Sequence, residues 1–312
     1  MSTPTGHDQA HDDQAHRGQT HHGHGTDHGD IDWEAMAAHL EREAELRVPF
    51  VEEAVAWLRG LLLEGGCGPG TASRLLDVGC GPGVFTVLLA RGFPQAEVVA
   101  ADGEPELLAR VRDRAEREGV AANVTTRQAQ LPDDLGELGS ADLIWTSNVI
   151  HHLGDQQAAL DALAQAVRPG GLLAVVERGL SPRCLPRDIG LGRPGLLSRV
   201  EAANEERFTA MREALAGHAR VVEDWPAMLA RAGLVPAGTR TFLTDLPAPL
   251  DTTARAHLHD RLSRARETLG EWLSPEDTST LDTLLDDDDP QGVLRRPDAF
   301  YLTATTVHAG RA

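Results

Sequence analysis

The sequence contains no lysine, so all 29 of its basic residues are arginine. This absence excludes a Walker-type phosphate lysine and any chemistry that runs through a lysine Schiff base. The three cysteines, Cys67, Cys80 and Cys184, are too few and too scattered for a disulfide framework or a cysteine zinc site. No apolar run is long enough to span a membrane and no signal peptide is visible, so we expect a cytoplasmic protein.

Positive charge and aromatic residues are also scarce. Against 48 acidic residues, the arginines leave a net charge of −19, and aromatic side chains make up 4% of the chain. Negative charge repels phosphate backbones and anionic lipids, and base stacking needs aromatic rings. We therefore expect no nucleic-acid partner, no membrane and a small-molecule substrate, and we leave a homodimer open.

The first 29 residues are polar and carry seven of the 14 histidines of the chain. A segment with so little apolar surface does not offset the entropy lost on ordering, so we expect disorder. Two interpretations remain open, a solvated tail and a metal-capturing histidine tract. The lack of a cysteine or acidic partner at a fixed ligand spacing favours the solvated tail, and no metal site is predicted.

One stretch organises the rest of the chain, residues 75–90. Leu75, Leu76 and Val78 supply the apolar run of a strand that is buried on both faces, and a helical apolar pattern begins at Val84. Three glycines between them remove side chains where backbone must approach a ligand closely. The same five residues recur at 66–70 without a strand before them or a helix after them, so that copy predicts a linker.

Strands and helices alternate from residue 74 onward. The pattern predicts strands at 74–78, 97–101, 123–129, 142–147 and 172–177, with helices at about 84–92, 105–118 and 156–167 and a turn at 168–171. Such alternation with buried strands predicts a doubly wound, mostly parallel α/β sheet. Helices are also predicted at 32–46, 49–63, 197–216, 225–232, 251–273 and 277–286, strands at 238–244 and 300–307, and a loop at 179–196.

Four motifs occur in a fixed order. They are the glycine turn after Asp77, a strand that ends at Asp102, the segment 142–153 that ends in Ile150-His151-His152-Leu153, and the turn Val167-Arg168-Pro169-Gly170-Gly171. Over about residues 74–177 these motifs resemble the class I S-adenosylmethionine-dependent methyltransferases. A nicotinamide dinucleotide enzyme is disfavoured, because its G-x-G-x-x-G pattern needs glycine where Val84 stands.

The resemblance implies a seven-stranded Rossmann-like sheet, S-adenosyl-L-methionine as cofactor, and helical N-terminal and insert elements that form a lid. The corresponding division of the chain is a tail at 1–29, an N-terminal helical lid at 30–65, a cofactor-binding core at 66–250 with an insertion at about 179–222, a helical insert at 251–297, and a final strand at 298–312.

The resemblance also implies a set of cofactor contacts. They are Asp77, Gly79, Gly81, Gly83, Asp102, Gln128, Ala129, Asn148 and Val149. Asp102 lies about 20 residues past the turn, where an acid accepts the ribose hydroxyl protons. Members of the family often carry Asp where Gln128 stands, but the glutamine oxygen can still accept from the adenine amino group.

The substrate side is less strongly specified. His151 and His152 follow the fourth strand beside the expected methyl position, where either a general base or a packing residue fits. Glu177 ends the fifth strand, and two roles are open, substrate binding or an ion pair with Arg178. Further substrate contacts are expected from Trp33, Arg47 and Phe50, for which core packing is the alternative. We expect methyl transfer to oxygen or nitrogen of a metabolite; the alternatives are C-methylation, cyclisation, and metal binding through the histidine-rich tail.

Overall fold

The computed structural model describes residues 33–66, 72–177 and 179–312, with only the backbone at 33–36. The histidine-rich tail and the second copy of the glycine sequence therefore lie outside the described residues, and the predictions made for them stay predictions. In the part that is described, no helix is long and apolar enough to cross a membrane.

The described chain forms an eight-stranded mixed sheet with helices on both faces. The strands are β1 Arg74–Val78, β2 Glu97–Asp102, β3 Val124–Gln128, β4 Ala141–Ser147, β5 Val167–Val176, β6 Leu180–Arg183, β7 Val235–Leu246 and β8 Tyr301–Arg311. Their order is β3-β2-β1-β4-β5-β8, where β8 also pairs with β6 and β7. The first five run parallel, and β8 is antiparallel to its neighbours. The order places the carboxyl ends of β1, β2 and β4 side by side.

The helices connect and cover the strands. They are α1 Trp33–Leu46, α2 Val48–Glu64, α3 Val84–Gly92, α4 Pro105–Arg117, α5 Gln156–Ala166, α6 Leu196–Ala214, α7 Trp225–Arg231, α8 Thr252–Leu269 and α9 Pro275–Leu285. Several begin where the sequence supplies a cap. Asp155, Asp251 and Ser274 each accept a hydrogen bond from the backbone N–H three residues on, which stabilises a helix start by about 1 kcal/mol.

Two apolar cores lie on opposite faces of the sheet because successive strand residues point in opposite directions. Leu75 packs on one face together with α2 and α3, whereas Leu76 packs on the other face with α5 and α7. The fully buried Trp145 of β4 lies edge-on to Phe85 of α3, with ring centroids 6.3 Å apart. Burying each such side chain contributes roughly 1.5–3 kcal/mol. The predicted doubly wound, mostly parallel sheet is confirmed.

Two local predictions were wrong. The turn expected at 168–171 lies inside β5, where the pairing with β4 shifts between Ala141–Val167 and Leu143–Leu172, and Gly170 takes a φ of +81° within that irregularity. The loop expected at 179–196 contains β6, which adds the eighth strand. Strand β6 was missed because it has only four residues, includes Pro182, and is defined by its pairing with the distant β8.

A third cluster of buried side chains lies where α6, α8 and α9 pack beside β6 and the start of β8. Helix α1 joins it through the Arg42–Asp260 ion pair, with 2.5 Å between guanidinium and carboxylate. These helices surround the strand that follows β5. Their action as a lid, and the division of the chain into domains, stay predictions.

Candidate active site

Two of the three glycines in the turn after β1 pack closely against neighbouring side chains. A Cβ at Gly79 would lie 2.2 Å from a methyl group of Val149, and one at Gly83 would lie 2.9 Å from Val111. At Gly81, which has a φ of +54°, a Cβ would meet no atom within 4 Å. The first and third glycines therefore permit packing of the chain on itself, and Gly81 alone faces open space where a ligand can approach the backbone.

Asp102 at the end of β2 fixes this turn. Its Oδ2 accepts a hydrogen bond from the Gly81 N–H at 2.9 Å, and its Oδ1 accepts from the Glu104 N–H at 3.1 Å. Burial raises the pKa of this carboxyl despite those bonds. Each carboxylate oxygen retains a second acceptor site, so Asp102 can also accept from hydroxyl groups of a ligand above Gly81.

The neighbouring strand β3 ends at the same edge of the sheet. The Gln128 amide donates to the Gly103 carbonyl at 3.1 Å, and the Ala129 N–H donates to the Asp102 carbonyl at 3.0 Å. The Gln128 amide nitrogen is thereby engaged, which leaves its side-chain oxygen as the group available to accept. Asp102, Gln128 and Ala129 therefore lie together, as the sequence predicts.

Asp77 takes a different place from the other predicted cofactor residues. It is 2% exposed, and its Oδ2 accepts from the Thr86 hydroxyl of α3 at 2.6 Å. Burial, opposed by that hydrogen bond and reinforced by the charge of Asp102, raises the pKa of Asp77 to about 7. The side chain thus ties β1 to α3 beneath the turn and does not line the open space.

A buried carboxylate organises the segment after β4. The Glu177 side chain has no exposed surface, and its Oε1 accepts from the Val149 N–H at 2.9 Å and the Ile150 N–H at 2.7 Å. Its Oε2 lies 2.5 Å from Nδ1 of His151. Asn148, with a φ of 57°, lets the chain turn from β4 into this short helical segment. Because an ionised carboxylate only accepts, the pair places the proton on Nδ1 and leaves Nε2 of a neutral His151 as an acceptor.

Helix α6 supports the same segment from the other side. The buried Arg212 guanidinium donates to the carbonyls of His151 at 2.8 Å and Leu153 at 2.5 Å. The Phe208 ring lies one helical turn away and packs edge-on against the His151 ring, with centroids 5.5 Å apart. His152 is exposed, and its ring centroid lies 4.1 Å from that of His151. The structure therefore distinguishes the two histidines: the His151 ring is oriented by Glu177 and Phe208 and its carbonyl is held by Arg212, whereas the His152 side chain is exposed.

Comparisons with known proteins agree with this geometry. A family model described as a methyltransferase domain matches residues 76–173. A trans-aconitate 2-methyltransferase of Methylobacterium radiotolerans is 30% identical over 222 residues, which cover 66% of this chain and 76% of that protein. The chain belongs to the class I S-adenosylmethionine-dependent methyltransferases. Its cofactor is S-adenosyl-L-methionine.

Two further relatives match over shorter stretches. A ubiquinone biosynthesis O-methyltransferase of Cereibacter sphaeroides is 29% identical over 152 residues, 48% of this chain and 51% of that protein. An uncharacterized protein of Synechococcus sp. is 41% identical over 117 residues, 38% of this chain. The chain spans only 25% of the length of that last relative.

The site fits the cofactor of this methyltransferase family. Open space lies over Gly81, where a Cβ would meet no atom within 4 Å, and the Gly81 N–H is hydrogen-bonded to the Asp102 carboxylate. Gln128 and Ala129 extend this edge on one side, and Asn148 and Val149 extend it on the other. These residues would hold S-adenosyl-L-methionine. Asp77, Gly79 and Gly83 support the turn from beneath.

The structure contradicts two of the predicted substrate contacts. Phe50 is 2% exposed and packs with Phe85 and Phe242 in the core beneath α2, so its placement at the substrate was wrong. Glu177 has no exposed side-chain surface and contacts only the segment after β4 in the described part of the chain, so its placement at the substrate was wrong. Arg47 lies over the Phe50 ring at 5.8 Å. The side chain of Trp33 lies outside the described residues.

Two supporting residues were missed from the sequence. Arg212 carries no motif, and only the packing of α6 against the segment after β4 brings it there. Phe208 also carries no motif, and the same packing brings its ring to the His151 ring. Among the described residues, no group of three or more histidine, cysteine or acidic side chains is arranged to hold a metal ion.

Proposed function

We propose that the enzyme methylates an oxygen atom of a small metabolite, with His151 as general base and Glu177 as the residue that positions it. The observation that carries the proposal is the 2.5 Å contact between His151 Nδ1 and a Glu177 carboxylate without exposed surface. For a surface histidine without such a partner, the contacts would not indicate which ring nitrogen carries the proton.

The chemistry follows from the acceptor. S-adenosyl-L-methionine supplies a methyl group on a positively charged sulfur, which a nucleophile attacks in line. A hydroxyl or phenol is a weak nucleophile until it loses its proton, and Nε2 of His151 accepts that proton. The adjacent carboxylate stabilises the imidazolium that forms. General-base assistance of this kind contributes about 10²–10⁴ in rate, and alignment of the reacting atoms contributes the rest.

A second candidate reaction comes from the relatives. The Methylobacterium relative is named for trans-aconitate, a tricarboxylic acid, and the Cereibacter relative for O-methylation in ubiquinone biosynthesis. Both names fit oxygen as the acceptor atom. An ionised carboxylate needs no base, however, so ester formation would leave His151 with a packing role.

The experiment compares acceptor classes and a histidine variant. Formation of S-adenosylhomocysteine is followed with panels of phenols, alcohols, amines and carboxylic acids, and products are identified by mass. His151→Gln is expected to lower kcat with hydroxyl acceptors by about 10²–10⁴ while cofactor affinity is unchanged. His259→Gln, which lies on α8 and contacts the Leu285 carbonyl at 3.3 Å, is the matched control.

The outcomes separate the candidates. A His151→Gln variant that keeps the wild-type kcat with a hydroxyl acceptor removes the base from the mechanism. If only the carboxylic acids of the panel are methylated, the reaction is ester formation. A product methylated on carbon, or cyclised, assigns the chemistry to the alternatives considered from the sequence.

A further inference from the structure

A cavity lies beyond the His151–Glu177 pair, between α1, β6, α6 and α8. Its volume is about 190 Å³, several times the roughly 30 Å³ that a water molecule occupies. Its lining includes the apolar side chains of Leu197, Val200 and Leu262. It also includes titratable groups: His39, Glu43, Arg183, Cys184, Glu201, His257 and Arg261. The cavity is therefore lined by both apolar and charged groups.

The cavity adjoins the proposed base through two elements. On α6, Leu197, Val200 and Asn204 line the cavity, and Phe208, one turn beyond Asn204, contacts the His151 ring. Ser181 of β6 also lines the cavity and follows Glu177 by four residues, at most about 14 Å of extended chain. The cavity and the segment that carries His151 are therefore linked through α6 and β6.

The carboxylates of the wall already have arginine partners. Glu43 lies 3.7 Å from the Arg47 guanidinium, and Glu201 lies 3.9 Å from that of Arg183. Arg261 differs from both arginines. Within the described residues it makes no hydrogen bond and no ion pair, although its charge acts at longer range on Glu43 and His257. The wall thus contains one partly buried cation without a direct anionic partner.

His257 supplies the second observation. It is 2% exposed, and in the described part of the chain neither ring nitrogen has a hydrogen-bond partner. Its ring stacks on that of His39 at 6.2 Å and meets the Tyr301 ring edge-on at 5.6 Å. Desolvation, opposed by the charge of Glu43 and to a smaller extent Asp260, and assisted by those of Arg261 and His39, lowers the pKa of His257 to about 4. A neutral His257 therefore presents one N–H donor without an acceptor, an arrangement that burial makes unfavourable until a ligand satisfies it.

We propose that this cavity binds the carboxylate of an acceptor substrate that has an apolar body, with Arg261 and His257 as the carboxylate ligands. The inference rests on the proposed function, because it treats the occupant as the methyl acceptor. Arg261 provides the charge, His257 provides a buried N–H, and the apolar side chains of the lining cover the apolar part. The reacting oxygen then lies at the other end of the molecule, towards His151.

The test compares acids with their neutral amides. Binding of 3,4-dihydroxybenzoate, 4-hydroxycinnamate and octanoate, and of the three corresponding amides, is measured by calorimetry on the full chain saturated with S-adenosylhomocysteine. At least one acid is expected to bind about tenfold or more tightly than its amide, as a charge-assisted hydrogen bond provides. Arg261→Gln is expected to abolish that preference. Arg266→Gln is the matched control, because Arg266 lies on the same helix and only pairs with Asp282 at the surface.

The wild-type comparison stands whether or not the variant folds. If no acid binds more tightly than its amide, or if Arg261→Gln keeps the preference, the carboxylate site is refuted. Methylation of neutral acceptors that depends on His151 without any preference for acids would refute the cavity assignment alone. Methylation of an acid that binds through Arg261, at a kcat that His151→Gln leaves unchanged, would refute the proposed function alone.

Discussion

Replacing Glu177 by glutamine changes one property of the site while retaining its shape. The amide oxygen can still accept from the Val149 and Ile150 N–H groups, which now hydrogen-bond at 2.9 and 2.7 Å. The amide nitrogen then stands beside Nδ1 of His151 in place of the oxygen that is 2.5 Å away. Because the amide donates there, Nδ1 must accept, and the proton moves to Nε2. His151 then has no lone pair to offer a hydroxyl.

The expected magnitudes follow from these contacts. Two backbone hydrogen bonds change from charge-assisted to neutral at about 1 kcal/mol each, so the free energy of unfolding falls by roughly 2 kcal/mol. Loss of the base lowers kcat by about 10²–10⁴, which is roughly 2.7–5.5 kcal/mol on the activation barrier. The kinetic effect therefore exceeds what a small loss of stability explains. Glu177→Ala is the poorer test, because it leaves two buried N–H groups unpaired.

The assay is the rate of S-adenosylhomocysteine formation with a hydroxyl acceptor from pH 5 to 9. The Glu177→Gln rate is expected to stay about 10²–10⁴ below the wild-type rate across this range. Glu137→Gln, an exposed carboxylate 3.4 Å from Arg127, controls for loss of charge. A Glu177→Gln variant that folds and retains the wild-type kcat would refute the assignment of the tautomer and the role of the base.

Three further predictions concern the glycine turn and the two aspartates beside it. Asp102→Ala is expected to weaken S-adenosylhomocysteine binding by ~1–3 kcal/mol in calorimetry, since ribose hydroxyls lose their acceptor; the exposed Asp113→Ala should bind as wild type, and unchanged affinity in the first variant contradicts the ribose role. Asp77 has a folded pKa of about 7 against 3.8 unfolded, so its burial opposes folding increasingly as pH rises from 4 to 7. Asp77→Asn should therefore raise the free energy of unfolding in urea by up to ~4 kcal/mol at pH 8 and by little at pH 4; equal gains at both would contradict this. Gly81→Ala should lower the free energy of unfolding by about 1–2 kcal/mol because of its positive φ, and it should reduce cofactor affinity more than tenfold. An unchanged affinity would contradict the placement of the cofactor over Gly81.

The sheet was predictable because its signal is local. Leu75 and Leu76 belong to opposite cores, and runs of this type identify strands that are buried on both faces. The glycine turn and Asp102 were predictable for a related reason: the turn needs glycine for backbone conformation and packing, and the acid follows the next strand. Those requirements place the glycines and the aspartate at a characteristic spacing in the sequence.

The partners within the site were not predictable in the same way. His151 and Glu177 were expected at the same edge of the sheet, but their contact depends on the register that aligns Ser147 with Val176. That register determines whether Glu177 faces a ligand or the segment after β4. Phe50 was misplaced because an aromatic residue in an amphipathic helix looks the same whether its face meets a pocket or Phe85 and Phe242.

Helix α6 connects the two halves of the proposed substrate site. Its first half contributes Leu197 and Val200 to the cavity, and its second half holds the His151 segment through Phe208 and Arg212. On the proposal above, a shift of α6 that adjusts the cavity to a bound acid would also displace the packing on His151, because one helix contributes to both. Acceptor binding and alignment of the base would then be coupled through α6. A substrate that lacks the acid should consequently lose kcat as well as affinity.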